Sequence, residues 1–262
     1  MQAFVDYTAE TLSTKGTGIN MSFSSLLRKK TRPFCSAVIV AAGSSERMGE
    51  DKLMLELGGM PILARTLNAF EACGCIDEII VVTRQEKLMD MAKLCREYGI
   101  DKATKILCGG VNRSESALIG VCGISPEADL VAIHDGARPF VTEAIIQDAV
   151  HMAALNKAAA PAVSVKDTVK LAREDTVTET PDRETVKAVQ TPQVFFPDII
   201  KASLSYAVQN DLQITDDCSA AEFLGVPVTL TKGSEENIKI TTPLDLIFAK
   251  GILESRGEAS CE

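Results

Sequence analysis

Positive charge is in short supply in this chain: 27 Lys and Arg stand against 36 Asp and Glu, for a net charge of −9. A duplex-DNA binder shows a basic face, and none is evident here, so no nucleic-acid partner is expected. Overall acidity leaves a nucleotide substrate open, because a few cations in a cleft hold a triphosphate against an unfavourable global field. Histidine is scarce at two residues, and none of the eight cysteines has CxxC spacing, which argues against a structural zinc site. The cysteines are scattered through apolar segments and read as small core residues of a chain kept in a reducing compartment, so a cytoplasmic location is expected. No apolar run reaches the ~18 residues of a membrane-spanning helix, so no membrane partner is expected either. Two phosphate-binding signatures are also missing. There is no GxGxxG after a strand, which removes an NAD-dependent oxidoreductase, and no GxxxxGK[ST] of a Walker loop.

What is present is enough apolar material for a large core, 46% of 262 residues. Residues 1–34 stand apart: five Lys or Arg and no acid lie between Thr11 and Pro33, and Met21 offers an alternative start. This stretch reads as a variable tail without a catalytic role. From Ser36 the texture becomes regular. "SAVIVAA", "DEIIVVT", "KILC", "DLVAIHD" and "APAVSV" are apolar or β-branched runs, and segments with helical periodicity separate them. This alternation predicts a single α/β domain over residues 35–262, built on a doubly wound, mostly parallel sheet. Ligands in such sheets bind outside the carboxyl ends of the strands.

After Val165 the pattern becomes half polar. Residues 166–192 alternate polar and apolar side chains, with turn chemistry at Arg173–Asp175 and Pro181–Asp182. This predicts a protruding β-hairpin arm, half exposed through "TPQVF". Val177, Val186 and Val189 would leave an apolar face on that arm, and a second copy of the chain is the economical cover, so a homodimer through the arm is expected.

The loop after the first strand carries the clearest chemistry. Ala41, Ala42 and Gly43 let backbone N–H groups approach a ligand, and Arg47 and Lys52 add two cations. Nucleotidyl transfer needs negative charge neutralised on the α-phosphate and the departing pyrophosphate, which suits such a pair. Asp135 ends a buried strand, where a carboxylate needs a partner; Arg138 is the nearest candidate. His134 reads as a hydrogen-bonded strand residue rather than a base, because a phosphate nucleophile is already ionised. Arg113 reads equally as a surface arginine or a site residue, and Asp216 and Asp217 read as the cap and charged first turn of a helix.

"AAGxxxRMG…K" at 41–52 resembles the signature loop of sugar-phosphate nucleotidyltransferases. With "GGxxRxxS" at Gly109–Ser116, "HDGARP" at His134–Pro139, and "KDTVK", "TPQVF", "TDDCSA" and "NIKIT" in order, the chain resembles the 2-C-methyl-D-erythritol 4-phosphate cytidylyltransferases from about Ser36 to Gly251. The resemblance implies CTP and a polyol phosphate as substrates, with Mg2+ carried mainly on the CTP phosphates and no protein cage for it. It implies catalytic roles for Arg47, Lys52, Arg183 and Lys239, with Arg183 reaching a site on the partner subunit. Nucleotide contacts would come from Ala41, Ala42, Gly43, Gly109, Ser116 and Asp135, and substrate contacts from Arg138, Thr168 and Thr191. The sequence departs from the family pattern after Lys52, where Leu53 and Met54 replace Gln and an aromatic. Ribitol 5-phosphate cytidylyltransferase shares fold and motifs and is the rival reading. A non-catalytic nucleotide-binding regulator is the more remote one.

Overall fold

The computed structural model describes residues 32–43 and 51–258. Residues 1–31, with most of the expected tail, and the loop carrying Arg47 lie outside the described residues. Just ahead of Cys35, Arg32 places its two terminal guanidinium nitrogens 2.7 Å from the two oxygens of Asp77.

Strands and helices alternate as β1 (Cys35–Val40), α1 (Ile62–Ala72), β2 (Glu78–Thr83), α2 (Leu88–Glu97), β3 (Ala103–Cys108), α3 (Arg113–Gly123), β4 (Leu130–Asp135), α4 (Glu143–Asn156) and β5 (Ala158–Ser164). β1 pairs in parallel with β2 and β4, and β2 with β3. A continuous β-branched run needs apolar cover on both faces. Ala37 and Ile39 of β1 accordingly enter one cluster with Leu67 and Phe70 of α1 and Ile146 of α4. Val38, on the opposite face, joins a second cluster with Val121 of α3. After the arm, α5 (Pro197–Gln209) and α6 (Asp217–Phe223) add Ile200, Leu204 and Ala220 to that second cluster. β10 (Thr229–Lys232) and α7 (Pro243–Ser255) close the chain, and β10 pairs in parallel with β5. The sheet is therefore doubly wound, as its sequence predicts.

Glycine decides how closely α3 lies on the sheet. A Cβ on Gly120 would stand 2.2 Å from Val38 Cγ1 and 2.9 Å from Val82 Cγ2. That close seat brings the amino terminus of α3 over the carboxyl ends of β1 and β2.

The arm holds one surprise. β6 (Leu171–Arg173) and β7 (Thr176–Glu179) form their own two-stranded antiparallel sheet, and every residue in them is exposed. β8 (Lys187–Val189) then returns antiparallel along β5. The last part of the expected half-exposed hairpin is not exposed at all. β9 (Gln193–Phe195) is fully buried and lies antiparallel between β4 and β5, giving the order β10-β5-β9-β4-β1-β2-β3. Two apolar residues and an amide that binds α6 make this burial favourable, a long-range arrangement that local alternation does not encode. Among the described residues no helix is long and apolar enough to cross a membrane.

Gly120→Ala tests the close helix seat. Overpacking should lower unfolding free energy by about 1–3 kcal/mol, less up to ~1 kcal/mol of helix propensity regained. Urea melts of the two proteins measure this, and a midpoint above the native one would mean that α3 has room to shift and keeps only the gain in helix propensity.

Candidate active site

A cleft of about 460 Å3 opens at the carboxyl ends of the parallel strands. Ala41, Ala42 and Gly43 line it after β1, and Lys52 and Leu53 line it from a short 3-10 turn over Lys52–Met54. Leu53 is 6% exposed and reaches the apolar core beneath the loop, which gives a physical reason for an aliphatic residue after Lys52. Gly110, Asn112, Arg113 and Ser116 form a second wall. Asn112 caps α3 by accepting from the Glu115 N–H at 2.9 Å, and Ser116 Oγ accepts from Gly110 N–H at 3.1 Å. Gly109 does not line the cleft; a Cβ there would stand 2.7 Å from Ala42 Cβ, so the glycine lets the two walls meet. Lys239 and Thr241 complete the lining from the loop before α7.

Asp135, at the end of β4, is the hub. Its Oδ1 accepts from Arg113 Nε at 3.1 Å, and its Oδ2 stands 2.9 Å from Lys239 Nζ and 3.5 Å from Arg138 Nε. Burial alone would push this carboxyl up, but Arg113, Lys239 and Arg138 outweigh it and hold it well below the usual carboxylate range. Arg113 also forks onto Asp217, with both nitrogen-to-oxygen distances at 2.9 Å. Thus Arg113 is not a free surface arginine, and Asp217 does more than charge a helix turn. Asp216 alone is the cap of α6, in a capping box with Ser219. Asp217 is fully buried; its burial pushes the carboxyl up, against the pull of Arg113. Gln193 in β9 sets this helix in place, donating to Asp216 at 2.7 Å and accepting from the Cys218 N–H at 2.9 Å.

Two residues expected to touch substrate lie behind the hub. Thr191 is 3% exposed and does not line the cleft. Its hydroxyl accepts from the Asp135 N–H at 3.2 Å and meets His134 Nδ1 at 2.9 Å, while His134 Nε2 lies 3.3 Å from the Arg138 carbonyl. One proton arrangement satisfies all three contacts: the hydroxyl donates to Nδ1, and a neutral imidazole donates through Nε2. Arg138 donates to the Asn237 carbonyl at 2.7 Å and supports Asp135 from outside the cleft lining. Arg183 and Thr168 are exposed on the arm and do not line the cleft; Arg183 donates to the Lys166 carbonyl at 3.4 Å. The structure therefore gathers Ala41, Ala42, Gly43, Lys52, Ser116, Asp135 and Lys239 at one cleft. It adds Arg113 and, behind it, Asp217. The available signal for the former was a cation beside a helix cap, where the dipole disfavours it.

A cleft at a parallel sheet's carboxyl edge, with a small-residue loop and several cations around one carboxylate, suits the phosphates of a nucleotide, the requirement of a nucleotidyltransferase. Residues 35–255 match the model of the 2-C-methyl-D-erythritol 4-phosphate cytidylyltransferase family. The chain is 45% identical over 223 residues to the enzyme of that name from Halalkalibacterium halodurans, covering 84% of this chain and 97% of the relative. Identity to its namesake from Alkaliphilus oremlandii is 41% over 227 residues, covering 85% and 96%. The crystal structure of 4-diphosphocytidyl-2C-methyl-D-erythritol synthase from Anaerococcus prevotii superposes with a TM-score of 0.77 at 35% identity, covering 85% of this chain and 99% of that one. The chain belongs to the 2-C-methyl-D-erythritol 4-phosphate cytidylyltransferase family.

The buried hydrogen-bond chain through His134 has a pH signature. Burial pushes its imidazole down to about 3, so the folded chain keeps it neutral where the unfolded chain binds a proton. Stability is full above about pH 6.5 and falls as pH drops towards the folded value, by at most about 1.4 kcal/mol per pH unit. Urea midpoints between pH 7.5 and 4.5 should show this slope in the native chain and a flatter one in His134→Gln. Equal slopes would place the acid sensitivity elsewhere.

Proposed function

We propose that Lys52 and Lys239 are the cations that stabilise the transition state of cytidylyl transfer in this cleft. The chain transfers CMP from CTP to 2-C-methyl-D-erythritol 4-phosphate, giving 4-diphosphocytidyl-2-C-methyl-D-erythritol and pyrophosphate, a step towards isoprenoid precursors. A phosphate oxygen of the erythritol compound attacks the α-phosphorus in line; the bond from that phosphorus to the β-phosphate oxygen breaks, and pyrophosphate leaves. The nucleophile is already ionised, so no general base is required, and His134 is directed away from that duty by its two hydrogen bonds. Electrostatic stabilisation and positioning are what the protein has to supply. The observation that carries this reading is that Lys52 and Lys239 line one cleft with the Ala41–Gly43 loop and Asp135. Arg47 falls in the same loop as Lys52 and joins them on the strength of the family motif. Ser116 and the Gly110 backbone would receive the base, with Arg113 closing that wall.

Magnesium fits as part of the nucleotide. Asp135, the carboxylate lining the cleft, is already engaged by cations, and among the described residues no group of three or more His, Cys, Asp or Glu is placed to hold a metal. The ion would be held by the CTP phosphates, where it would neutralise their charge. Arg183 and Thr168 act in a second copy's cleft in this reading, since both are exposed on the arm. An isolated two-stranded ribbon is marginal in water, and this one leaves Leu171 48% and Val177 55% exposed, so cover from a partner subunit would steady it. The seven described cysteines are free, which suits the cytoplasm.

Pyrophosphate release from CTP and magnesium is the direct test, with 2-C-methyl-D-erythritol 4-phosphate and ribitol 5-phosphate in parallel. Release with the erythritol compound is expected; release with ribitol 5-phosphate alone would shift the substrate, and CTP binding without release would leave a silent regulator. Subunit mixing tests the arm. Lys52→Ala and Arg183→Ala should each lower turnover at least about tenfold, but equal mixtures after subunit exchange should regain about a quarter of native activity, because half of the dimers would carry one intact composite site. No recovery in the mixture would confine Arg183 to its own subunit.

A further inference from the structure

We propose that Gln190 is a positioning residue that clips the Lys239 loop to the base of the β-arm, so that the seating of the arm sets where Lys239 stands; this rests on the reading of Lys239 as a phosphate cation. Gln190 directly follows β8, the strand by which the arm rejoins the sheet. Its backbone is fixed to that sheet, donating to the Pro161 carbonyl of β5 at 2.7 Å. Its side chain, on a residue 7% exposed, is used at both ends. Nε2 donates to the Ser234 carbonyl at 2.7 Å, and Oε1 accepts from the Ser234 N–H at 3.2 Å and from Asn237 Nδ2 at 3.3 Å.

The loop is shaped for this clip. A Cβ on Gly233 would stand 2.7 Å from Gln190 Oε1 and 2.9 Å from the Ala162 carbonyl, so glycine is what lets the loop come this close. Asn237 is fully buried, and its Nδ2 also donates to the Thr191 carbonyl at 3.0 Å. Lys239 lies two residues beyond Asn237 and reaches Asp135 at 2.9 Å. The other root of the arm touches the same loop through Lys166 and Glu235 at 2.5 Å, but those side chains are 73% and 62% exposed. An exposed ion pair of that kind contributes little, whereas a buried amide with its donors and acceptors paired leaves several orphaned groups when removed. Gln190 is therefore the joint that transmits. A shift of β8, as when the arm beds onto another surface, moves this amide and with it the loop that carries the cation. Small displacements of such a charge cost rate, since transition-state stabilisation depends on placement.

Steady-state pyrophosphate release from the full chain tests this with Gln190→Ala, Lys239→Ala and the double variant. Gln190→Ala should lower kcat about tenfold or more while KM for CTP changes less than about threefold. In the Lys239→Ala background the same change should cost less than about twofold, because its effect runs through that lysine. Losses that multiply in the double variant, a native kcat in Gln190→Ala, or a rise in KM alone would overturn the proposal. A silent Lys239→Ala would instead overturn the reading of Lys239 itself. Gly233→Ala crowds the same amide from the loop side and should reproduce the kcat loss; it serves as the second variant if melting by circular dichroism shows that Gln190→Ala does not fold.

Discussion

A buried carboxylate in a low-dielectric interior demands compensating charge, and the Asp135 carboxylate draws it from three separate stretches of chain. Arg113 comes from the start of α3, Arg138 from the turn after β4, and Lys239 from the loop before α7. Each arrives on a differently packed element, so the sheet, the close seat of α3 and the loop after β10 must all be in place before the charge is satisfied. The same requirement assembles the cleft. An acidic protein thereby holds a local excess of cations where a triphosphate belongs, and the field inside that concavity, rather than the net charge, is what an approaching nucleotide meets.

The supports of this hub are mostly neutral. Thr191, His134, Asn237, Gln190 and Gln193 are buried, and hydrogen bonds bind them to one another, to the backbone or to α6. Neutral networks of this kind avoid the desolvation cost of further charges while fixing geometry, and here only Asn237 Oδ1 among their buried side-chain atoms lacks a partner within the described residues. Two residues expected at the substrate, Thr191 and Arg138, are members of or partners to this network. The polar side chains of Thr191 and Arg138 answer to Asp135, His134 and Asn237 before any ligand arrives.

The parallel part of the fold was legible because β1, β2 and β4 are short apolar runs that demand cover on both faces, and because segments of helical period separate them. The small-residue loop and Lys52 were legible as phosphate chemistry for a similar local reason. Arg183, Lys239 and Thr168 carry no such local mark and came only from the family motifs. The partnership of Arg113 with Asp217 was illegible, as the two lie 104 residues apart and neither segment announces the other. The place of β9 was missed for the converse reason. "TPQVF" follows an exposed ribbon and continues its texture, while its burial depends on the gap between β4 and β5, which exists only in three dimensions.

That gap has a consequence for how the chain is made. β4 and β5 are not neighbours; the three-residue β9 sutures a four-stranded parallel half to the β5–β10 half. As the polypeptide leaves the ribosome, β1 to β4 and their helices are synthesised before any residue of β9. The outer edge of β4 then waits, unpaired, until the arm has been synthesised and Gln193 arrives. An open strand edge is a template for pairing with other chains. The moment of greatest exposure to aggregation thus falls while the arm is being translated, and it ends when one short antiparallel strand slides home.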